Sequence, residues 1–117
     1  MEVQAITRNV GMSAQKMREV VRQIQGLPAA QAQAVLAVVP RKSARFVAKT
    51  LKSAIANAED LKMHKDEYKD LDTEKLRVKH AVAGTATTLK RFTPKARGSA
   101  GPILKRSCHI KIVLSDE

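Results

Sequence analysis

From Lys75 to Ser115 the chain carries ten Lys or Arg (Lys75, Arg77, Lys79, Lys90, Arg91, Lys95, Arg97, Lys105, Arg106, Lys111) and no Asp or Glu, so this segment supplies +10 of a formal +11. Both of its ends alternate. Leu76, Val78, His80 and Val82 interleave with Lys75, Arg77, Lys79 and Ala81; Ile110, Ile112 and Leu114 interleave with Lys111, Val113 and Ser115. That two-residue period is the mark of half-buried strands. Residues 84–102 between them are basic, punctuated by Gly and Pro, and poor in large apolar side chains. A hairpin turning near Arg97–Gly98 extends roughly 40 Å beyond Gly84, at about 3.3 Å per residue. A lone two-stranded ribbon is marginal in water, and one that repels itself needs a neutralising partner. Nucleic acid is the commonest such polyanion.

At 117 residues the chain is expected to form one domain with a modest core. Its body is expected over residues 1–83 and 103–117, with the arm at 84–102. A pI near 10.2 fits a nucleic-acid footprint. No apolar run approaches 18 residues and no basic amphipathic helix ends in aromatics, so no membrane partner is expected. The start Met1-Glu2-Val3 lacks the features of a signal peptide. A single cysteine, Cys108, excludes an internal disulfide and fits a reducing cytoplasm. Phe46, Tyr68 and Phe92 are too few aromatics for a base-stacking platform. Contacts to phosphates, sugars and grooves are expected instead.

Val3 to Thr7 reads as a short strand broken by Asn9-Val10-Gly11. Ser13 caps a helix whose Met17, Val20, Val21 and Ile24 form a buried stripe and whose stop is Gly26. A capping box wants Glu or Gln at position 16, and the chain has Lys16. Either the small cost is absorbed, or Lys16 and the helix N-terminus jointly hold a phosphate. Pro28 opens a second helix with Ala32, Val35, Leu36 and Val39 inward, and Pro40 ends it. A third helix spans about Arg41 to Asp60, with Ala44, Val47, Ala48, Leu51, Ile55 and Ala58 inward. Lys42, Arg45, Lys49 and Lys52 make one basic stripe on it, with no acid between Glu19 and Glu59 to balance them. Solvated faces normally mix signs, so this stripe points to RNA. From Glu59 to Glu74 the charge reverses, and this polar stretch reads as a solvent-facing link to the hairpin.

Cys108 and His109 are the one pair that suggests nucleophilic chemistry, but neighbours on a strand point to opposite faces. His64, His80, His109 and Cys108 lack metal-ligand spacing. Asp70-Leu71-Asp72-Thr73-Glu74 lacks the glycine and distal Glu of a calcium loop. No phosphate-binding loop or nucleophile elbow occurs. No enzymatic activity and no cofactor are expected. Gly98 and Gly101 allow positive φ and close approach to a phosphate at the tip.

Lys90-Arg91-Phe92-Thr93-Pro94-Lys95-Ala96-Arg97-Gly98, followed by Ile103-Leu104-Lys105-Arg106-Ser107-Cys108-His109-Ile110, resembles the C-terminal signature of the large-subunit ribosomal protein twenty-two family. Ser13-Ala14-Gln15-Lys16-Met17-Arg18 resembles that family's first-helix opening, and Ser53-Ala54-Ile55-Ala56-Asn57-Ala58-Glu59 its third-helix motif. The resemblance runs through nearly the whole chain and is bacterial in type. It implies a small α/β body beside the mouth of the ribosomal exit tunnel and a hairpin that reaches through the RNA to line the tunnel. It also implies a part in RNA folding during assembly, and places Leu89, Lys90 and Arg91 in the segment tied to macrolide response and Lys95, Ala96, Arg97 and Gly98 at the turn. Lys95 stands where the family usually has Arg, Ser99 where a basic residue is common, and Gly101-Pro102 where more polar residues are common. Lys lacks the planar fork of Arg.

The expected fold is α+β: three helices on a three-stranded antiparallel sheet, the last two strands extended as the hairpin. The expected RNA contacts are Lys16, Arg18, Lys42, Arg45, Lys49 and Lys52 on the body, and Lys90, Arg91, Lys95, Arg97, Gly98, Lys105 and Arg106 on the arm. Leu89, Lys90, Arg91, Lys95, Ala96 and Arg97 are expected to line the tunnel. The expected partners are large-subunit rRNA, neighbouring large-subunit proteins and the nascent polypeptide, with no homo-oligomer and a cytoplasmic, ribosomal location. The alternative from another class is an architectural DNA-binding protein with basic β-arms, for which Pro94 is the sole wedge candidate.

Overall fold

The computed structural model describes residues 1–116. Strand β1 (Glu2–Val10) leads into three helices, α1 (Ala14–Ile24), α2 (Ala29–Val38) and α3 (Lys42–His64), and then into strands β2 (Arg77–Thr85), β3 (Leu89–Pro94), β4 (Ala100–Lys105) and β5 (Cys108–Ser115). The body sheet is antiparallel in the order β1-β5-β2, and β3 and β4 form a second, two-stranded antiparallel ladder. The long dimension is 66 Å against 28 and 16 Å for the other two. The α+β expectation holds, with the hairpin as a separate ladder.

The helices form where the sequence patterns them. Ser13 caps α1, its hydroxyl facing the Lys16 N–H at 3.5 Å, and Met17, Val20, Val21 and Ile24 are all buried. Gly26 adopts φ +83, a left-handed stop that a side chain would strain. The turn it makes runs along the edge of β2. Gly26 N–H donates to the Val78 carbonyl at 2.8 Å, Val78 N–H to Leu27 at 2.9 Å, and Ala29 N–H to Leu76 at 2.9 Å. An edge that would otherwise stay open is thereby partly covered. In α3 the buried positions Ala44, Val47, Leu51, Ala54 and Ala58 repeat every three and four residues. Their small side chains let this helix lie close on β1 and β5. Asn57 Nδ2 donates to the Gln4 carbonyl at 3.2 Å, and the Thr7 and Thr50 hydroxyls meet at 2.7 Å.

Four local expectations are corrected. The first strand runs on past Thr7 to Val10, because a register shift lets Asn9 sit at φ 56 while pairing with β5 resumes at Val10–Cys108. Helix α3 continues one turn past Asp60, where Leu61 packs against the core and Lys62 and His64 complement the helix dipole. The link after α3 is not simply solvated: Leu71 is fully buried between two short 3-10 turns, Asp66–Tyr68 and Thr73–Lys75. In β2 the alternation inverts. Leu76 and Val78 face the core, but a bulge between Val78 and His80 flips the strand, so Ala81 and Ala83 are buried while His80 and Val82 are exposed.

The corrected register makes an opposed pair of expectations. Leu71→Ala should lower stability by about 2–4 kcal/mol in urea unfolding, whereas Val82→Thr should stay within about 0.5 kcal/mol of the parent. A costly Val82→Thr would restore the unbroken alternation.

Candidate nucleic-acid interface

Cations gather on two parts of the molecule. At about 100° per residue, Lys42, Arg45, Lys49 and Lys52 fall on the side of α3 opposite its buried seam, and all four are exposed. Arg41, just before them, pairs with Glu19 of α1. None of the stripe residues has a carboxylate partner among the described residues. Lys16 and Arg18 are also exposed, on the opening turns of α1. Arg18 is fixed: its Nε donates to the Ala83 carbonyl at 3.0 Å, tying α1 to β2 where the arm departs.

The arm holds the second group. Lys90, Arg91, Lys95, Arg97, Lys105 and Arg106 are all exposed, with Leu89 and Ala96 among them. Partners across an antiparallel ladder share a face. Leu89 with Lys105, and Arg91 with Ile103, therefore lie on one side; Lys90 with Leu104, and Phe92 with Pro102, lie on the other. Phe92 is 70% exposed, so this second side is an open apolar strip with a lysine at one end.

At the apex Arg97 and Gly98 are both left-handed, at φ 62 and 73. Lys95 N–H donates to the Ser99 carbonyl at 2.6 Å, and the Ser99 hydroxyl donates to the Ala96 carbonyl at 2.9 Å. Ser99 thus closes the turn. Gly101 does not take the positive φ that its sequence position suggests. Its lack of a side chain serves close approach instead, since a Cβ there would lie 2.9 Å from Lys95 Cγ. Pro94 pairs with Ala100 within the ladder, and the apex itself is Arg97–Gly98, so proline is not placed as a wedge at the tip.

Cys108 and His109 do not form a dyad. Cys108 is buried beneath the helices, and burial pushes its thiol above the ordinary range despite nearby Arg18. His109 turns the other way, and its Nδ1 accepts the Asn9 N–H at 3.1 Å. Among the described residues no group of His, Cys, Asp or Glu could hold a metal ion, and no helix is long and apolar enough to cross a membrane. Ten of the 22 cations lie outside the expected set, two of them isolated on the body strands. Arg8 and Lys111 are exposed strand residues, and single charges on strands give no stripe to find them by.

A family model described as Ribosomal protein L22p/L17e matches residues 5–115. The large ribosomal subunit protein uL22 of Opitutus terrae is 52% identical over 116 residues, covering 99% of this chain and 96% of that protein. The uL22 protein of Akkermansia muciniphila is 42% identical over 117 residues, covering 100% and 98%. That of Latilactobacillus sakei is 47% identical over 113 residues, covering 97% and 91%.

The left-handed pair at the apex sets opposite outcomes for two substitutions. Gly98→Ala should reduce amide-exchange protection across β3 and β4 by roughly 5- to 30-fold, a non-glycine left-handed residue costing about 1–2 kcal/mol. Arg97→Gly should raise it. Protection of body amides should not change in either variant.

Proposed function

The chain belongs to the Ribosomal protein L22p/L17e family, and from that premise we propose that it is a structural constituent of the large ribosomal subunit, bound to large-subunit RNA through both body and arm. The family is one of structural ribosomal proteins, not of enzymes. The observation that carries the reading is the arm: none of residues 86–107 is buried, and the arm is cationic, without a carboxylate of its own. Such a ribbon loses its self-repulsion when RNA phosphates surround it, and release of their counterions adds to affinity.

On this reading the body docks with Lys16 and Arg18 of α1 and with Lys42, Arg45, Lys49 and Lys52 of α3. The arm threads between RNA segments, where Lys90, Arg91, Lys95, Arg97, Lys105 and Arg106 meet phosphates and Gly98 lets the backbone approach closely. Its apex, with Lys95, Ala96 and Arg97, and the strand that leads to it, with Leu89, Lys90 and Arg91, border the path of the nascent polypeptide. By joining RNA segments that contact the body to others that contact the apex, the protein assists folding of the RNA during assembly. Neighbouring large-subunit proteins at the tunnel mouth complete its surroundings, in the cytoplasm.

Cells relying on a Lys105→Glu/Arg106→Glu double variant should accumulate large-subunit precursors, because like charge replaces attraction at the arm's base. Sucrose-gradient profiles read this directly, and a normal large-subunit peak would refute the arm's role. Tagged parent protein should co-migrate with the large subunit after a high-salt wash, since a threaded arm outlasts counterion competition that strips surface-bound proteins. Release at moderate salt would contradict threading.

A further inference from the structure

The arm is joined to the body by little. The ladder between β2 and β5 runs out at Thr85–Cys108, and the arm's own ladder opens at Leu89–Lys105. Across the gap the described residues give two hydrogen bonds, Ala86 N–H to the Ser107 carbonyl at 3.1 Å and the Ser107 hydroxyl to the Thr87 carbonyl at 2.6 Å. Strands β3 and β4 make their substantial contacts only with each other, so little packs against the arm to set its direction.

Beside this junction lies a basin of about 410 Å³ that spans both parts. Gln15 and Arg18 line it from the body, Thr88 from one root of the arm, and Arg106 and Ser107 from the other; no carboxylate lines it. Of the two α1 cations expected to contact RNA, Arg18 lines it and Lys16 does not. The hydrogen bond from Arg18 Nε to the Ala83 carbonyl holds that guanidinium in place, and Arg106 has no ion-pair partner among the described residues. Two guanidinium groups, one on each rigid part, thus face one polar, acid-free space. Guanidinium matches the geometry of a phosphate through paired N–H donors.

We propose that this basin takes one backbone phosphate of the RNA, and that the phosphate, held by Arg18 of the body and Arg106 of the arm, latches the arm in a fixed direction. The proposal rests on the RNA reading for the source of the phosphate. Without the anion the two like charges repel and the thin junction swings; with it they are drawn to one centre.

The test uses the free full-length chain with spin labels at Ala96→Cys and Gln33→Cys, Cys108 being buried and so shielded from labelling. The label-to-label distance distribution should narrow on adding inorganic phosphate but not chloride at equal ionic strength. Arg106→Gln should need at least about tenfold more phosphate for the same narrowing, as loss of a charge-assisted contact implies. Lys111→Gln, which removes the same charge away from the basin, should behave as the parent. No narrowing, or equal narrowing in Arg106→Gln, would show an adventitious ion only and overturn the latch. Filter binding of large-subunit RNA by the unlabelled parent is the separate arm: failure there removes the RNA reading alone, since the latch is read with phosphate.

Discussion

A ribbon that carries only positive charge is the constraint on which the rest of this molecule depends. None of residues 86–107 is buried, so the arm contributes no core, and its backbone ladder is opposed by its own charge. The chain answers by separating two tasks. Residues that need burial are collected in the body, where β5 presents Cys108, Ile110, Ile112 and Leu114 to the helices. Residues that need an external anion are placed where no acid of the same chain competes for them. The acids collect after residue 58, on the last part of α3 and in the link that follows it. A mixed-sign arm would pair with itself.

Much of the fold was legible because it is written in short periods. The α1 stripe of Met17, Val20, Val21 and Ile24 needs only a helix and a core to be read, and both are local in sequence. The alternation of β5 was legible for the same reason. Strand β2 defeated the same rule because a bulge adds one residue without leaving a mark of its own. Its trace is in side-chain size: beyond Lys79 the buried positions carry Ala81 and Ala83, and the larger His80 and Val82 lie outside. Leu71 escaped notice because one apolar residue within a run of acids has no period at all. Its burial is decided by the return path of the chain from α3 to β2, which is a tertiary fact.

The cations were legible as a population and less so as a geometry. Composition and the stripe on α3 identify which residues carry charge, and the resemblance adds which of them belong to the apex. Neither reveals that Arg18 reaches across to the Ala83 carbonyl, 65 residues away in sequence, nor that it meets Arg106 across one basin. Such pairings arise only once β2 and α1 are packed. The apex was partly legible. Gly98 announced a left-handed position, but Arg97 in the same region did not, because non-glycine residues at positive φ leave no compositional signal. Ser99, which looked like a lost cation, turned out to hold the turn through its hydroxyl.

The connection order explains how a marginal ribbon is anchored in a stable body. The arm leaves from β2 and returns into β5, which are paired neighbours in the body sheet, and β5 is the central strand. Tension along the arm draws both strands the same way, so it is resisted by the β1–β5 ladder and by the helices packed on the sheet. Had the arm returned into the outer strand β1 instead, its two roots would be separated by the width of a strand, and a tight two-stranded ladder could not begin so close to the sheet. Placing the roots on adjacent strands, β2 at the edge and β5 at the centre, lets the arm be thin and charged while the body remains an ordinary helix-on-sheet core. It also confines the one weak point to residues 86–88 and 106–107, where direction is still to be set and where the cations of the two parts come together.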